Sequence, residues 1–512
     1  MENKKYYITT AIAYASTKPH LGNTVDAVLA DSIARYKRQR GYDVYFQTGS
    51  DEHGEKIENL AKQKNINPQI FVDEASKEIK DSWDCLNVSY DKFVRTSDKE
   101  HILKVQKIFK KLYEQGDIYK GTYEGLYCVP CESFFTESQL IEGKCPDCGR
   151  EVNPTSEEAY FLKTSAYSSW LLEYIETHPT FIEPLSRKNE IINNFIKPGL
   201  QDLCVSRTSI NWGIPVDFDN SHVVYVWLDA LSNYITFLGY DTEKSTEKFN
   251  KFWPADLQLI GKDIIRFHTI YWPIILHILN LEQPKKIFGH PWLLFGNDKM
   301  SKSKGNIVYA DDLVSKYGVD AVRYYILHEI PFSNDGNFTE ELLVERINSD
   351  LANVLGNLVN RTLGMLKKYF NNEVQDKNEN EEIDESLKNE ITSLYTKIDL
   401  KMEEIKVSES IELIISALRR CNKYIDETEP WTLASSQPKQ NRLATILYNL
   451  IESIRICAIL LYPFLPSTSD EILNQINTNI NTIESTKTFG LYPKNNTVNE
   501  AKILFARIEK DL

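Results

Sequence analysis

The chain has 512 residues, with 59 basic and 73 acidic side chains for a formal charge of −14; 42% of it is hydrophobic and 26% charged. That describes a globular protein with roughly three domains of about 150 residues each, and it excludes a collagen, a disordered tail and a disulfide-dense miniprotein. The acidic balance taken alone argues against a nucleic-acid partner, although net charge says little about a local patch.

No run approaches the roughly 18 consecutive apolar residues of a membrane helix. The most apolar stretch, 272–281, is interrupted by Pro273, His277 and Asn280. The N-terminus MENKKYYITTAIAYAS passes straight into a strand-like pattern, without the long apolar stretch and cleavage site of a signal peptide. A cytoplasmic location is therefore expected.

In chain order, residues 6–14 alternate as a strand. Leu21, Val25, Val28, Leu29, Ile33 and Tyr36 give helical spacing over 21–41, and 44–47 form a second strand. A strand, a crossover helix and another strand imply a parallel sheet with a right-handed crossover. Helices are predicted over 71–86 and 101–115. Over 116–154 the texture changes to short strands, glycines and paired cysteines, a stretch too small for its own core that would need a metal. A helix follows at 168–177. From 221 the α/β texture returns, with a strand at 223–226, a helix to 238, a strand at 257–260 and a helix over 264–279. Beyond 339 the chain reads as helices at 340–370, 387–404, 408–428, 440–461 and 466–476, the first two separated by the polar NNEVQDKNENEEID. No internal repeat is visible. The expected organisation is a nucleotide-binding α/β domain in two halves, 1–115 and 221–338, interrupted by an insertion over 116–220 and followed by an α-helical domain over 339–512.

Three groups of residues carry chemistry. Pro19-His20-Leu21-Gly22-Asn23 lies where the first strand passes into the first helix, the place where open α/β sheets bind ligands. Free N–H groups and the helix dipole favour phosphate there. His20 and Asn23, three apart on one helix face, can both reach one anion, and Gly22 leaves room for an adenine or ribose. The residues alone leave a helix cap with an uninvolved His equally open. Lys299-Met300-Ser301-Lys302-Ser303, followed by Lys304-Gly305-Asn306, is either a solvated loop or a mobile phosphate clamp. Cys128-Val-Pro-Cys131 and Cys145-Pro-Asp-Cys148 make a C-x2-C-x13-C-x2-C pattern. Each pair can place two thiolates on one tetrahedral ion, and a closed set of four makes that zinc structural. A redox CxxC is the alternative, but there are two pairs and neither opens a helix after a thioredoxin-like strand. Cys85, Cys204, Cys421 and Cys457 stand singly, as ordinary thiols.

The HLGN element, the KMSKS loop and the interrupted α/β domain together resemble class I aminoacyl-tRNA synthetases. Thr48-Gly-Ser-Asp-Glu-His-Gly54, Tyr225-Val-Trp-Leu-Asp-Ala230, Gly261-Lys-Asp-Ile264, Phe267-His268 and Trp272-Pro273 narrow the resemblance to the bacterial type of the methionyl-tRNA synthetase family. Gly356-Asn357-Leu358 with Arg361, and Glu429-Pro430-Trp431, extend it over essentially the whole chain. One departure is Asn23, the last residue of the HLGN element, where the family's HIGH motif has His: Asn still donates a hydrogen bond, but the titratable group is lost.

The resemblance implies a Rossmann-like parallel-sheet catalytic domain with an inserted zinc-binding connective domain, then an all-α helical bundle that binds the anticodon. It implies attack of the methionine carboxylate on the α-phosphate of ATP, followed by transfer of methionine to the terminal ribose of tRNA(Met), initiator included. No protein nucleophile is required, so catalysis rests on positioning and electrostatics. His20, Asn23, Lys299 and Lys302 are the expected catalytic residues, with Lys302 on the pyrophosphate and Mg²⁺ accompanying the ATP. Gly22, Lys262 and Asp263 join His20, Asn23 and Lys302 around the nucleotide, and Arg207 matches a position near the nucleotide or the closing domain. Asp51, at the end of the second strand, suits an anchor for the methionine ammonium. The slot for the side chain is implied to be lined by Ala11, Ile12, Tyr14, Trp227, Ala230, Leu231, Tyr234, Ile264, Phe267, His268 and Trp272, a surface suited to a polarizable thioether. Plain core packing is the competing account of any one of those aromatics. Asn357, Arg361 and Trp431 match the anticodon readers. Asn357 and Arg361 share a helix face, and Trp431 could stack on a splayed base; without the family, a Trp after a Pro is more often a core plug.

Residues 351–512 hold 19 basic and 23 acidic side chains, a net of −4, so tRNA contact would be confined to a local basic strip. The leucyl, isoleucyl and valyl enzymes carry a far larger insertion than the hundred or so residues here. The cysteinyl enzyme puts its zinc in the active site, and a non-catalytic relative would have lost His20, Lys299 and Lys302. Dimers in the family often use an extra C-terminal domain; this chain ends shortly after the helical region, and a monomer is expected.

Overall fold

The structure, a computed structural model, describes residues 4–135, 137, 140–146, 148–296, 307–330, 334–434 and 439–509. The chain divides into two units. Met1–Ala30, Asp43–Asp84 and Val88–Pro291 form the first, and Asp31–Tyr42, Cys85–Asn87 and Trp292–Leu512 the second.

In chain order come β1 (Lys5–Thr10), β2 (Ala13–Tyr14), α1 (Val25–Gln39), whose residues from Asp31 onward belong to the second unit, β3 (Asp43–Asp51), α2 (Glu55–Gln63), α3 (Pro68–Cys85), β4 (Lys92–Arg95) and α4 (Lys99–Glu114). The inserted stretch contains β5 (Ile118–Cys128), β6 (Ser133–Phe135), β7 (Asn153–Leu162), α5 (Ser168–Thr177), β8 (Ile182–Glu183), α6 (Leu185–Ile191) and β9 (Leu203–Cys204). A small antiparallel sheet of β10 (Ser206–Arg207), β11 (Pro215–Val216) and β12 (Asp219–Val224) leads into α7 (Val226–Thr236), α8 (Glu247–Phe252), β13 (Leu257–Gly261), α9 (Trp272–Ile278) and β14 (Ile287–His290).

The central sheet has the order β2-β3-β1-β13-β14-β8, with β4 also on β3, and every pairing is parallel. Every residue of β3 after Asp43 is buried, because helices cover both faces of a parallel sheet. This is why the alternation read over 6–14 does not persist: β1 is continuously buried from Tyr7, and the chain breaks before resuming as β2. The first helix likewise opens with a 3₁₀ turn at Leu21–Thr24. Two differences concern the insertion. Its first half is a long ribbon, β5 paired with β7 from Ile118↔Leu162 to Tyr127↔Asn153, where short strands were expected. It also returns a strand to the central sheet, since β8 pairs with β14.

In the second unit helices begin at Ala310–Tyr317 and Val319–Glu329, earlier than the texture change expected at 339, and the strand Gly336–Phe338 that follows them pairs in parallel with Leu293–Phe295. The helix expected over 340–370 is present, with a π-helical stretch at Ile347–Gly356. The polar linker is not structureless: Glu373–Val374 pairs with Asn496–Thr497. Arg323 and Asp31 form a fully buried ion pair at 2.7 Å. Arg323 also donates to the carbonyls of Leu86, Pro463 and Phe464, which supplies the hydrogen bonds that such a pair needs. Among the described residues one helix, Gln440–Leu461, is long and apolar enough to cross a membrane by length and composition, so 272–281 is not the nearest approach to such a span; the apolar window of Gln440–Leu461 is wholly buried in the protein.

Candidate active site and cysteine centre

β1 lies between β3 and β13, so the chain leaves it in opposite directions and a crevice opens at the carboxyl ends of these strands. Ala11 follows β1 and its N–H donates to the carbonyl of Leu259 at 2.9 Å; Ala11 and Ile12 are half-buried. Asp51 ends β3 and is 9% exposed, and its Oδ1 is buried with no hydrogen-bond partner. Burial first, then the negative neighbours Asp229, Glu132 and Glu52, hold its carboxyl well above the usual range. A carboxylate so placed is stabilised by a cation.

Facing apolar side chains come from α7 and from the turn before α9. Trp227 stacks flat on Phe267, with centroids 3.6 Å apart and planes 5° from parallel. Tyr14, Trp227 and Ile264 pack against the buried cluster that includes Leu231, Tyr234, Phe267 and Trp272; Ala230 is 6% exposed. Leu231 and Trp272 are core residues behind this surface, and the Trp272 Nε1–H donates to Gln258 Oε1 at 3.2 Å. The Trp227 Nε1 is buried and unpartnered. His268 is pushed down to about 4 by burial, so it is neutral. Its Nδ1–H donates to the carbonyl of Ile264 at 3.0 Å, which leaves Nε2 to accept from the Tyr234 hydroxyl at 2.8 Å. The two polar groups expected near a thioether thus satisfy each other.

The HLGN element differs in detail from a shared helix face. His20 is extended, at the cap position before the 3₁₀ turn. Its backbone N–H donates to Asn23 Oδ1 at 3.2 Å. That bond holds the exposed Asn23 by its oxygen. Burial lowers His20 to about 4, and its Nδ1 has no partner. Gly22 lies within the turn. Burial, with a contribution from Asp263, raises Asp26 at the start of α1 to about 7, so the structure brings the HLGN element near the Gly261-Lys262-Asp263 segment. The Lys262 N–H donates to the carbonyl of His290 at 3.2 Å. A Cβ on Gly261 would stand 2.5 Å from Asp263 Oδ1, so any larger residue there would displace that carboxylate from its present position. Arg207 is 3% exposed; it pairs with Glu157 at 2.5 Å and Glu55 at 3.3 Å and lies 4.1 Å above the Tyr127 ring. Lys299 and Lys302, with the rest of 297–306, fall outside the described residues.

Several site-adjacent groups had no signal of their own. Asp229 is fully buried between two histidines, 2.6 Å from His53 Nδ1 and 2.7 Å from His101 Nε2. Against the penalty of burial, His53 and His101 pull its carboxyl below the usual range. His53 and Asp229 stand inside two of the segments that carry the family resemblance, but only the fold pairs them. His290, buried beside Asp263, was also not singled out; its Nδ1–H donates to the Pro291 carbonyl at 2.8 Å.

The Sγ atoms of Cys128, Cys131, Cys145 and Cys148 all lie within 4.8 Å of one another, with Cys128–Cys148 at 3.6 Å and Cys145–Cys131 at 3.9 Å. A tetrahedral ion with metal–sulfur bonds of about 2.3 Å needs edges of about 3.8 Å, so the donor set and its spacing fit a structural zinc. Among the described residues, the apolar cluster around it contains Cys128, Phe135 and Cys145, with Cys131, Leu140 and Val152 against them, a small core of the kind that a metal stabilises.

In the second unit, Asn357 is exposed at the start of the helix Asn357–Phe370. Arg361, one turn on, pairs with Asp426 at 3.3 Å. Asp426 belongs to the helix Val407–Thr428, which leads through Glu429 to Pro430 and Trp431. Trp431 is 46% exposed, which overturns the core-plug account.

The family described as tRNA synthetases class I (M) matches residues 6–156 and 149–363, and the anticodon binding domain of methionyl tRNA ligase matches 374–512. The methionine–tRNA ligase of Clostridium acetobutylicum is 55% identical over 510 residues, covering 100% of this chain and 79% of the relative. That of Bacillus subtilis is 47% identical over 525 residues, with coverages of 100% and 79%. Among solved structures, Mycobacterium tuberculosis methionyl-tRNA synthetase in complex with methionyl-adenylate superposes with a TM-score of 0.94 at 38% identity, covering 98% of this chain and 99% of that one.

Proposed function

The chain belongs to the methionyl-tRNA synthetase family of class I tRNA synthetases, and from that premise we propose that the crevice joins L-methionine to ATP and passes the methionyl group to tRNA(Met). The observation that carries this reading is Asp51: a buried carboxylate with an unpartnered oxygen, at the carboxyl end of a central strand and within electrostatic reach of Tyr14 and Tyr234.

Asp51 takes the methionine ammonium. The slot is lined by Ala11, Ile12, Tyr14, Trp227, Ala230, Tyr234, Ile264, Phe267 and His268, with Leu231 and Trp272 supporting it from behind, and it holds the thioether against aromatic faces. The methionine carboxylate oxygen attacks the α-phosphorus of ATP, and the bond from that phosphorus to the α,β-bridging oxygen breaks, so that pyrophosphate leaves with the bridging oxygen. His20, Gly22, Asn23, Lys262 and Asp263 surround the nucleotide. A neutral His20 donates or accepts a hydrogen bond without adding charge. Lys299 and Lys302 are assigned to the pyrophosphate from their motif, and Mg²⁺ travels with ATP. The 3′-terminal ribose hydroxyl of the tRNA then attacks the methionyl carbonyl, with AMP as the leaving group. Catalysis comes from orientation and charge stabilisation, as expected for phosphoryl chemistry with an ionised nucleophile.

The zinc assignment belongs to the same proposal. Cys128, Cys131, Cys145 and Cys148 would hold one ion that organises the knuckle and leaves no open position for catalysis. Asn357, Arg361 and Trp431 are the proposed anticodon contacts, in a chain that acts as a cytoplasmic monomer. The domain scheme carried with it assigns 1–115 and 221–338 to catalysis, 116–220 to the connective insertion and 339–512 to the anticodon.

The test is amino-acid-dependent exchange of pyrophosphate into ATP. Exchange with methionine and not with leucine, isoleucine, valine or cysteine is expected; absence of exchange with methionine, or preference for another amino acid, overturns the reading. Light scattering at the monomer mass of 59.2 kDa and one zinc per chain by elemental analysis check the remaining assignments.

A further inference from the structure

We propose that Glu132, from the cysteine knuckle, is a positioning residue for methionine that fixes Tyr14 and the start of α2; this rests on the methionine-site reading above. Glu132 stands between Cys131 and β6, in the left-handed region at φ 49°, and is only 5% exposed. The turn sends its side chain away from the knuckle and into the crevice. There Oε1 accepts from the Tyr14 hydroxyl at 3.0 Å and from the Lys56 backbone N–H at 2.8 Å. Oε2 accepts from the Tyr127 hydroxyl, and the Glu132 carbonyl accepts from the Tyr225 hydroxyl.

The Lys56 N–H is one of the unpaired donors in the first turn of α2, where a carboxylate is favoured. α2 follows directly on Asp51-Glu52-His53-Gly54, so the group that caps it also steadies the strand end bearing Asp51. Gly54 closes over the pair: at φ 117°, a Cβ there would lie 2.7 Å from the Tyr14 hydroxyl and 2.8 Å from Glu132 Oε1. On the other side Arg207 covers the Tyr127 ring.

A carboxylate this deeply buried is tolerated only when hydrogen-bonded. Three donors meet it, and one of them is the hydroxyl of a proposed methionine-slot residue. Removing the carboxylate frees the Tyr14 ring and uncaps α2, and leaves the aromatic wall and the nucleotide side untouched. The expected effect is therefore on methionine and not on ATP.

The experiment measures methionine-dependent pyrophosphate exchange with the full-length protein. Methionine binding is followed separately by tryptophan fluorescence, and metal per chain by elemental analysis. Glu132→Ala is expected to raise KM and Kd for methionine roughly tenfold, with KM for ATP within twofold and metal content unchanged. Glu132→Gln keeps an acceptor oxygen for Lys56 and Tyr14 and is expected to recover most of the loss. In a Tyr14→Phe background Glu132→Ala is expected to add less than twofold. Unchanged methionine affinity in Glu132→Ala, equal losses in the Gln and Ala proteins, or independent multiplication of the Tyr14 and Glu132 effects would each overturn the inference. If Glu132→Ala loses its metal, Tyr127→Phe, which deletes only the Oε2 bond, takes its place: a methionine-specific rise in KM supports the role, and no rise removes it. Failure of the unaltered protein to exchange with methionine would instead overturn the functional reading itself.

Discussion

The crevice proposed for methionine and ATP and the residues proposed to contact the anticodon in the helical unit differ in how their polar groups are satisfied. In the crevice the protein leaves polar atoms buried and unanswered: Asp51 Oδ1, His20 Nδ1 and Trp227 Nε1 have no partner. In the helical unit Arg361 is already paired with Asp426, and Trp431 presents its ring to water. A small ligand enclosed by protein can repay the desolvation of buried groups by completing their bonds. A large flexible RNA cannot be enclosed, so side chains proposed to read it are expected to stay solvated or paired until it arrives. The same contrast divides the histidines. Burial lowers His268, whereas His328 is raised despite its burial by the hydrogen bond and charge of Glu329.

The largest break in this comparison should come from Asp51→Asn. Losing one member of a buried charge pair costs about 3 kcal/mol or more, so kcat/KM for methionine in exchange is expected to fall at least about a hundredfold while KM for ATP moves little. A loss below tenfold would mean that the ammonium is held elsewhere. Next is Lys302→Ala. Removing one charged contact to the transition state costs about 3 kcal/mol, roughly a hundredfold in rate, and it should slow adenylate formation more than it weakens methionine binding. The reverse pattern refutes the clamp role.

Trp431→Ala tests the other side. Base stacking is worth about 1–3 kcal/mol, so tRNA charging should drop about tenfold or more with exchange nearly intact; collapse of both would make Trp431 a packing residue. The smallest effect is the opposed response of the two histidines to acid. A His lowered to about 4 binds fewer protons folded than unfolded, so its stabilisation is complete above about pH 6.5 and is lost as pH falls toward 4. Between pH 6.5 and 5.5 the loss is about 1 kcal/mol. His328 has the opposite sign: its contribution is full below the unfolded value and is lost as pH rises through its raised folded value. Urea midpoints at the two pH values should show His268→Gln less acid-sensitive than the unaltered protein and His328→Gln more so. Identical acid responses in the two variants would erase the distinction.

Much of the fold was legible because periodicity is local. The helices at 168–177 and 440–461 fall where their apolar spacing put them. The strand reading was weaker where the sheet is buried on both faces: β1 and β3 show no lasting alternation, so their lengths were misjudged. Nothing in Ile182–Glu183 announces a strand of the central sheet, since two residues carry no period and their pairing depends on β14 far along the chain.

By itself the sequence determined the cysteine set, whose spacing within a short loop already limits its geometry, and the motif residues His20, Asn23, Lys299 and Lys302, whose order is a property of the chain. It also determined the family, because so many separated segments agree in order. Only the tertiary structure decided that His53 and His101 grip Asp229, that Glu132 leaves the knuckle for Tyr14, and that Trp431 faces solvent. These depend on which side chains meet across elements distant in sequence and on how much water remains around them. Neither packing nor desolvation is written in local spacing; both appear only when the chain has folded.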